Sequence, residues 1–144
     1  MIRARKPRLD DSAILDMIKR ELFVFTVATK PDMRWNPAEV RTRLNGNVTF
    51  VAASARTVGF ASVRPVGSDM LLDMLAVERG SQGLGWGSAL LDTAEAYARR
   101  KGNRTMRLFV DAANGKARAF YARKGYAEER YYPTMAFISM TKRL

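Results

Sequence analysis

Residues Gln82-Gly83-Leu84-Gly85-Trp86-Gly87-Ser88-Ala89 set three glycines at alternate positions directly ahead of a helical pattern. A strand ending near Val77, a glycine-dense turn and a helix start together make an anion site. The first amides of a helix lack internal partners, the macrodipole is positive at that end, and glycine lets a phosphate approach the backbone. A Walker A loop needs a lysine before the Ser/Thr, and Gly87-Ser88 has none. A dinucleotide turn would need glycine at position 88, normally in an early βαβ unit. A loop that merely starts a helix explains the glycines poorly, because each one weakens the helix it enters.

The chain contains neither histidine nor cysteine. That excludes Ser-His triads, imidazole bases, thiolate nucleophiles, disulfides and most zinc sites. Chemistry is left to carboxylates, hydroxyls, lysine and the backbone. Asp73 is the one charge in the apolar run Met70–Val77, where a carboxylate needs a reason to be. It reads either as a base or as a structural aspartate hydrogen-bonded locally.

The positioning elements follow from pattern. Ile2–Arg5 reads as a first strand, and Asp10-Asp11-Ser12 as N-cap residues for a helix carrying Ile14, Leu15, Ile18 and Leu22. Residues 23–36 read as irregular, and Pro37 opens a short helix through Leu44. Runs Val48–Ala53, Thr57–Arg64 and Met70–Val77, joined by short turns, suit an antiparallel meander. Gly85–Lys101 is the clearest helix: Trp86, Ala89, Leu90, Thr93, Ala94 and Tyr97 form its apolar face, with Asp92, Glu95 and Arg99 away from it. A strand over Thr105–Val110, a helix over Lys116–Lys124, and strands near Ala127–Arg130 and Met135–Lys142 complete the chain. The expectation is one α/β (α+β) domain over residues 1–144, with a central mixed, mostly antiparallel sheet of six to seven strands and helices on both faces.

A net charge of +11, from 25 Lys+Arg against 14 Asp+Glu, favours anionic partners in general. The basic residues are scattered and no nucleic-acid signature accompanies them, so the reading is a solvated basic surface rather than a nucleic-acid binder. The start has no apolar signal core, and no uncharged run reaches membrane length, so the expectation is a cytoplasmic protein without membrane contact.

Two motifs carry a family resemblance. Gln82-Gly-Leu-Gly85-Trp-Gly87 resembles the pyrophosphate motif Gln/Arg-x-x-Gly-x-Gly/Ala of the GCN5-related N-acetyltransferase (GNAT) family. Asn114, Ala117, Phe120-Tyr121, Gly125 and Tyr126 resemble its second signature, in the right order. Arg79 departs from the family, where many members carry proline. The resemblance implies the GNAT fold, acetyl-CoA as cosubstrate, no metal, and transfer of the acetyl group to an amine by direct attack in a ternary complex.

By resemblance, the fourth and fifth strands splay, and Leu75, Ala76 and Val77 offer their edge to the pantetheine arm. The amides of Gln82, Gly83, Leu84, Gly85, Trp86, Gly87 and Ser88 hold the pyrophosphate, although the Trp86 side chain reads as packed inward. Asn114 reads as an N-cap with a further contact to pantetheine or a positioning water. Tyr121 is implied as general acid for the leaving thiolate, the alternative being a buried aromatic beside Phe120. Asp73, four residues before Val77, stands where some relatives carry a catalytic glutamate, and would act through water. Glu78 is the weaker candidate. A backbone amide near the fourth strand would polarise the carbonyl.

The acceptor is expected where residues 23–36 meet residues 128–134, lined by Phe23, Phe25, Met33, Trp35, Tyr131 and Tyr132 with Asp32, Glu128 and Glu129 as acids. Such a lining favours a cationic amine of a small molecule or peptide. Alternatives of another class are a non-catalytic acyl-CoA sensor or a basic RNA-binding module on the same fold. The apolar last strand offers a homodimer contact, or is simply core.

Overall fold

In the computed structural model, which describes residues 1–144, seven strands form one sheet. They are β1 (Ile2–Ala4), β2 (Val48–Ala53), β3 (Thr57–Val66), β4 (Asp69–Val77), β5 (Thr105–Asp111), β6 (Ala127–Tyr132) and β7 (Phe137–Arg143). Their spatial order is β1-β2-β3-β4-β5-β7-β6, and only the β4–β5 pair is parallel. The mixed, mostly antiparallel sheet expected from the short turns is therefore present.

The helices are α1 (Pro7–Met17), α2 (Val24–Thr29), α3 (Pro37–Asn45), α4 (Trp86–Arg100) and α5 (Gly115–Arg123). One core cluster joins α4 and α5 to the sheet through Leu90, Leu91, Ala94, Ala98 and Tyr121 against Val63, Leu72, Met106, Leu108, Val110 and Met140. A second cluster covers the other face with Ile14, Met17, Ile18 and Leu44 against Val51, Phe60, Met74 and Ala76. This second cluster draws no residue from β5, β6 or β7. Gly59 lets α4 approach β3, since a Cβ there would meet Ala76 O and Leu90 Cδ1, each at 3.1 Å.

Two boundaries differ from the sequence reading. The first helix starts at Pro7, at the position where proline's missing N–H costs nothing, so Asp10 and Asp11 lie inside it rather than at its cap. Asp10 still caps, but backwards: its carboxylate accepts from the Lys6 amide at 2.7 Å. It is fully buried and also accepts from Arg3 (2.8 and 2.9 Å) and Thr57 Oγ1 (2.6 Å), tying α1 to β1 and β3. Residues 23–36 are only partly irregular, because a π-helical segment over Ile18–Phe23 carries the chain into α2. Helix stops at Thr29 because Lys30 precedes Pro31, whose ring disfavours helical backbone before it.

Candidate active site

The β4–β5 ladder is short. It pairs Met70–Leu72 with Met106–Leu108 and then ends, although β4 continues to Val77 and β5 to Asp111. Beyond Leu72 the two strands part, each still bonded on its outer side to β3 or β7. Asp73, Leu75, Ala76 and Val77 thus edge a gap whose other wall is Phe109–Asp111. A β-bulge prepares the parting: Val63 pairs with Leu72 and Ser62 with Met74, leaving Asp73 as the extra residue.

The glycine turn lies at the end of β4. Gly83 and Gly85 adopt φ of 78° and 90°, and Gly85 is the left-handed N-cap of α4, with no side chain capping the helix. No amide from Gly83 through Ser88 donates to another group of the chain, the first bond of the helix running from Ala89 N to Gly85 O. A run of unpaired donors at a helix start, with Leu84 72% exposed above it, fits a diphosphate. Gln82 differs from its neighbours. Its amide is spent on Arg79 O at 3.3 Å. Its side chain donates to Val77 O at 2.8 Å and accepts from Lys116 Nζ at 2.6 Å, so it ties the turn to β4 and α5. That bond also occupies the Val77 carbonyl. Trp86 packs against the α4-side core, as its face implied.

Tyr121 lies on α5 with its ring buried, edge-on to Phe120 at 5.2 Å and to Tyr126 at 5.7 Å. Its hydroxyl has no hydrogen-bond partner in the chain, yet no buried polar side-chain atom lacks one. The oxygen therefore opens to solvent while the ring does not. Burial pushes the phenol pKa up, so the group stays protonated. Asn114 caps α5, its Oδ1 accepting from Ala117 N at 3.2 Å.

Asp73 does not point freely into the gap. Its carboxylate is gripped by Arg43 at 2.8 and 2.5 Å and by Asn47 Nδ2 at 2.9 Å. Burial raises its pKa, but the Arg43 bonds and charge, with Asn47, more than offset this and hold it below the usual carboxylate range. Glu78 is likewise engaged, by Arg56 and by Ser81 Oγ at 2.8 Å.

Of the segments expected to hold the acceptor, residues 23–36 reach the β6–β7 turn just past residue 134: Lys30 Nζ, at the end of α2, lies 3.3 Å from Met135 Sδ. Phe23 on the π-helical segment stacks with Trp35 at 5.4 Å. Of the expected acids, Glu128 is paired with Arg118 at 2.8 Å and Glu129 with Arg107 at 2.6 Å. Tyr131 pairs with Ile138, which belongs to the α4-side core, so it faces away from Phe23 and Trp35.

Several residues escaped the sequence reading. Arg43 and Lys116 hold Asp73 and Gln82 across long sequence separations that no local pattern signals. Glu95 was expected on the exposed side of its helix, and it is instead 3% exposed. It accepts from Tyr126 OH at 2.8 Å and Lys142 Nζ at 2.9 Å, which fixes the ring packed on Tyr121. The nearby Arg99, four residues on, makes Glu95 look like half of a surface pair.

Comparison with known proteins agrees with this geometry. The profile of the acetyltransferase (GNAT) family matches residues 13–126. A mycothiol acetyltransferase of Jonesia denitrificans is 37% identical over 82 residues, 56% of this chain but only 26% of that longer protein. Among solved structures, the ribosomal-protein-S18-alanine N-acetyltransferase of Escherichia coli superposes with a TM-score of 0.77 at 23% identity, covering 99% of this chain and 92% of its own. The PaiA N-acetyltransferase of Thermoplasma acidophilum, in complex with coenzyme A, gives 0.77 at 20% identity, covering 100% and 99%. These likenesses show the fold, and no helix here is long and apolar enough to cross a membrane. The chain belongs to the acetyltransferase (GNAT) family, enzymes that draw their acetyl group from acetyl-CoA.

Proposed function

We infer that residues 1–144 act as one catalytic domain that moves an acetyl group from acetyl-CoA to a primary amine of a small molecule or peptide. One observation carries this reading: a run of unpaired amides, Gly83 to Ser88, adjoins the gap between β4 and β5, and the family's tyrosine has a hydroxyl free of any partner in the chain. The residues fit the cosubstrate, since the glycines leave space above the turn: a Cβ at Gly83 or Gly85 would meet nothing within 4 Å.

Acetyl-CoA, when bound, supplies an acetyl thioester. In the proposed arrangement the Gly83–Ser88 amides hold the diphosphate, and the parted edges of Leu75 and Ala76 take the pantetheine as an added strand. A main-chain amide of β4 beyond Leu72 donates to the thioester carbonyl oxygen. The acceptor nitrogen bonds to the acetyl carbon as the carbon–sulfur bond breaks. The nitrogen gives up a proton and the sulfur gains one, leaving an amide and a free thiol. Tyr121 donates a hydrogen bond to the departing sulfur. A phenol above its usual pKa of about 10 is a weaker acid than a thiol of about 8.5, so Tyr121 steadies the thiolate and passes a proton only as another reaches it. For Asp73 we propose anchoring rather than proton abstraction, because its lowered pKa makes it a poor base. The acceptor then reacts as free amine, with water taking the proton.

Calorimetric titration with coenzyme A and acetyl-CoA, followed by thiol release over a panel of amines, tests the reading. Binding together with acceptor-dependent thiol release supports it. Binding without release from any amine leaves the acyl-CoA sensor, and no binding refutes both.

A further inference from the structure

Resting on that reading, the acceptor's chemistry can be taken further from the uncovered part of the sheet. Along β5, β7 and β6, Leu108, Val110, Ile138 and Met140 point to the α4 side. The alternate residues Phe109, Phe137 and Tyr132 therefore point the other way, where the second core cluster contributes nothing. Their rings form one patch: Phe109 lies 5.0 Å from Phe137 and 6.0 Å from Tyr132. Phe109 is the first β5 residue past the end of the β4–β5 ladder, and it is 41% exposed. The patch thus begins at the gap, on the face where Phe23 and Trp35 stand.

The carboxylates that β4 and β6 carry here are already paired with arginine. Asp69 and Glu129 are both bonded to Arg107, and Asp73 to Arg43. Arg130 alone among these arginines has no carboxylate partner, and its side chain makes no hydrogen bond in the chain. Its guanidinium lies 4.9 Å from the centre of the Tyr132 ring. A guanidinium laid on an aromatic ring keeps its N–H edge free and pre-oriented for a two-point bond to a carboxylate. Lys30, over the hairpin turn, adds a second cation with only a sulfur beside it.

We propose that Arg130, stacked on Tyr132 beside Phe109, binds a carboxylate of the acceptor, so that the acceptor is an amine carrying an apolar group and a carboxylate: a free amino acid or a short peptide. The apolar part rests on the ring patch, the carboxylate bonds Arg130, and the amine reaches the gap past Phe109. Polycationic amines meet Arg130 and Lys30 as like charges and are poor acceptors.

The experiment compares kcat/KM for phenylalanine with phenylalanine amide, for Phe-Gly with its amide, and for spermidine, in wild type, Arg130→Gln and Arg130→Lys. The amides are the more demanding controls because their amines lose a proton more easily. The free acids are expected to be the better acceptors, by about threefold to tenfold for an exposed charged pair. Arg130→Gln should raise KM for the acids and bring the acid-to-amide ratio near one, with kcat little changed. Arg130→Lys should restore part of the preference. Amides or spermidine used as well as the acids, or Arg130→Gln acting alike on acid and amide, overturns the proposal. Sedimentation of wild type and variant covers the remaining occupant: a dimer lost in Arg130→Gln with no change in acceptor choice makes the patch an interface and likewise overturns it. Absence of any acetylation while acetyl-CoA still binds would instead sink the acetyltransfer reading beneath it.

Discussion

Replacing Tyr121 by phenylalanine removes a single oxygen, and the structure separates its two consequences. The ring keeps its edge-on contacts with Phe120 and Tyr126, and it remains in the core cluster shared by α4, α5 and the sheet. The hydroxyl bonds nothing in the chain, so its loss orphans no donor or acceptor. The stability change should fall within about 0.5 kcal/mol, a melting-temperature shift of roughly 2 °C or less. The kinetic effect has a different size. A hydrogen bond to a charged sulfur contributes about 1.5–3 kcal/mol, and each 1.36 kcal/mol is about tenfold in rate, so kcat should fall about 10- to 150-fold.

Thiol release under saturating acetyl-CoA measures that fall, and calorimetry checks that CoA affinity is kept. The pH profile adds a second reading. Burial raises the Tyr121 phenol pKa above its ordinary value, so the proton stays on oxygen throughout the working range. The rate should therefore climb with pH as the acceptor amine deprotonates, without a falling limb below about pH 10. Equal turnover in wild type and Tyr121→Phe would refute the assignment. So would a loss of rate matched by a loss of CoA affinity or of melting temperature, since the residue would then be structural.

Asp73→Asn should act mainly on stability, because it loosens the clamp on Arg43 at a carboxylate whose side chain is 6% exposed. A cost of about 1.5–3 kcal/mol, read as a fall of several degrees in melting temperature, is expected with turnover little changed; a collapse in turnover at an unchanged melting temperature would restore Asp73 as base. Acid should destabilise the protein in a defined window. Burial raises the Asp10 pKa, but bonds from Arg3, the Lys6 amide and Thr57 outweigh this and bring it to about 2. A depressed folded pKa means the stabilisation is fully present above the unfolded value of about 3.9, and is lost as pH falls through about 2. Asp73 contributes in the same sense. Denaturant titrations from pH 6 to pH 2 should show this slope, flattened in Asp10→Asn; a variant with an unchanged slope would remove Asp10 as its cause.

What the sequence disclosed and what it hid divide along physical lines. Gly83 and Gly85 were legible because left-handed backbone admits few residues other than glycine, so geometry writes itself into residue type. The parted strands were not readable from the apolar run of β4. They were expected only through the family resemblance, since a bulge at Asp73 is a matter of register with β3 and not of composition. Asp73 could be singled out as a carboxylate in need of a reason. The reason itself, Arg43, sits 30 residues away on another element. Glu95 misled for a related cause. Helical periodicity reports which face is mostly apolar, and a buried carboxylate satisfied by Tyr126 and Lys142, 31 and 47 residues on, violates it without local trace.

The same division governs how the acceptor side reads from the chain alone. Counting Asp32, Glu128 and Glu129 near aromatic residues suggests a pocket for cations, but two of the three are already bonded to arginine and present little net charge to a ligand. Glu128 is held by Arg118 and Glu129 by Arg107, whereas Arg130 stays free on the ring of Tyr132. In a chain of net charge +11, the identity of the unpaired ion rather than the tally of acids sets the field that an acceptor meets. The proposed recognition of a carboxylate therefore rests on pairing, and pairing exists only once the sheet has brought β5, β6 and β7 side by side.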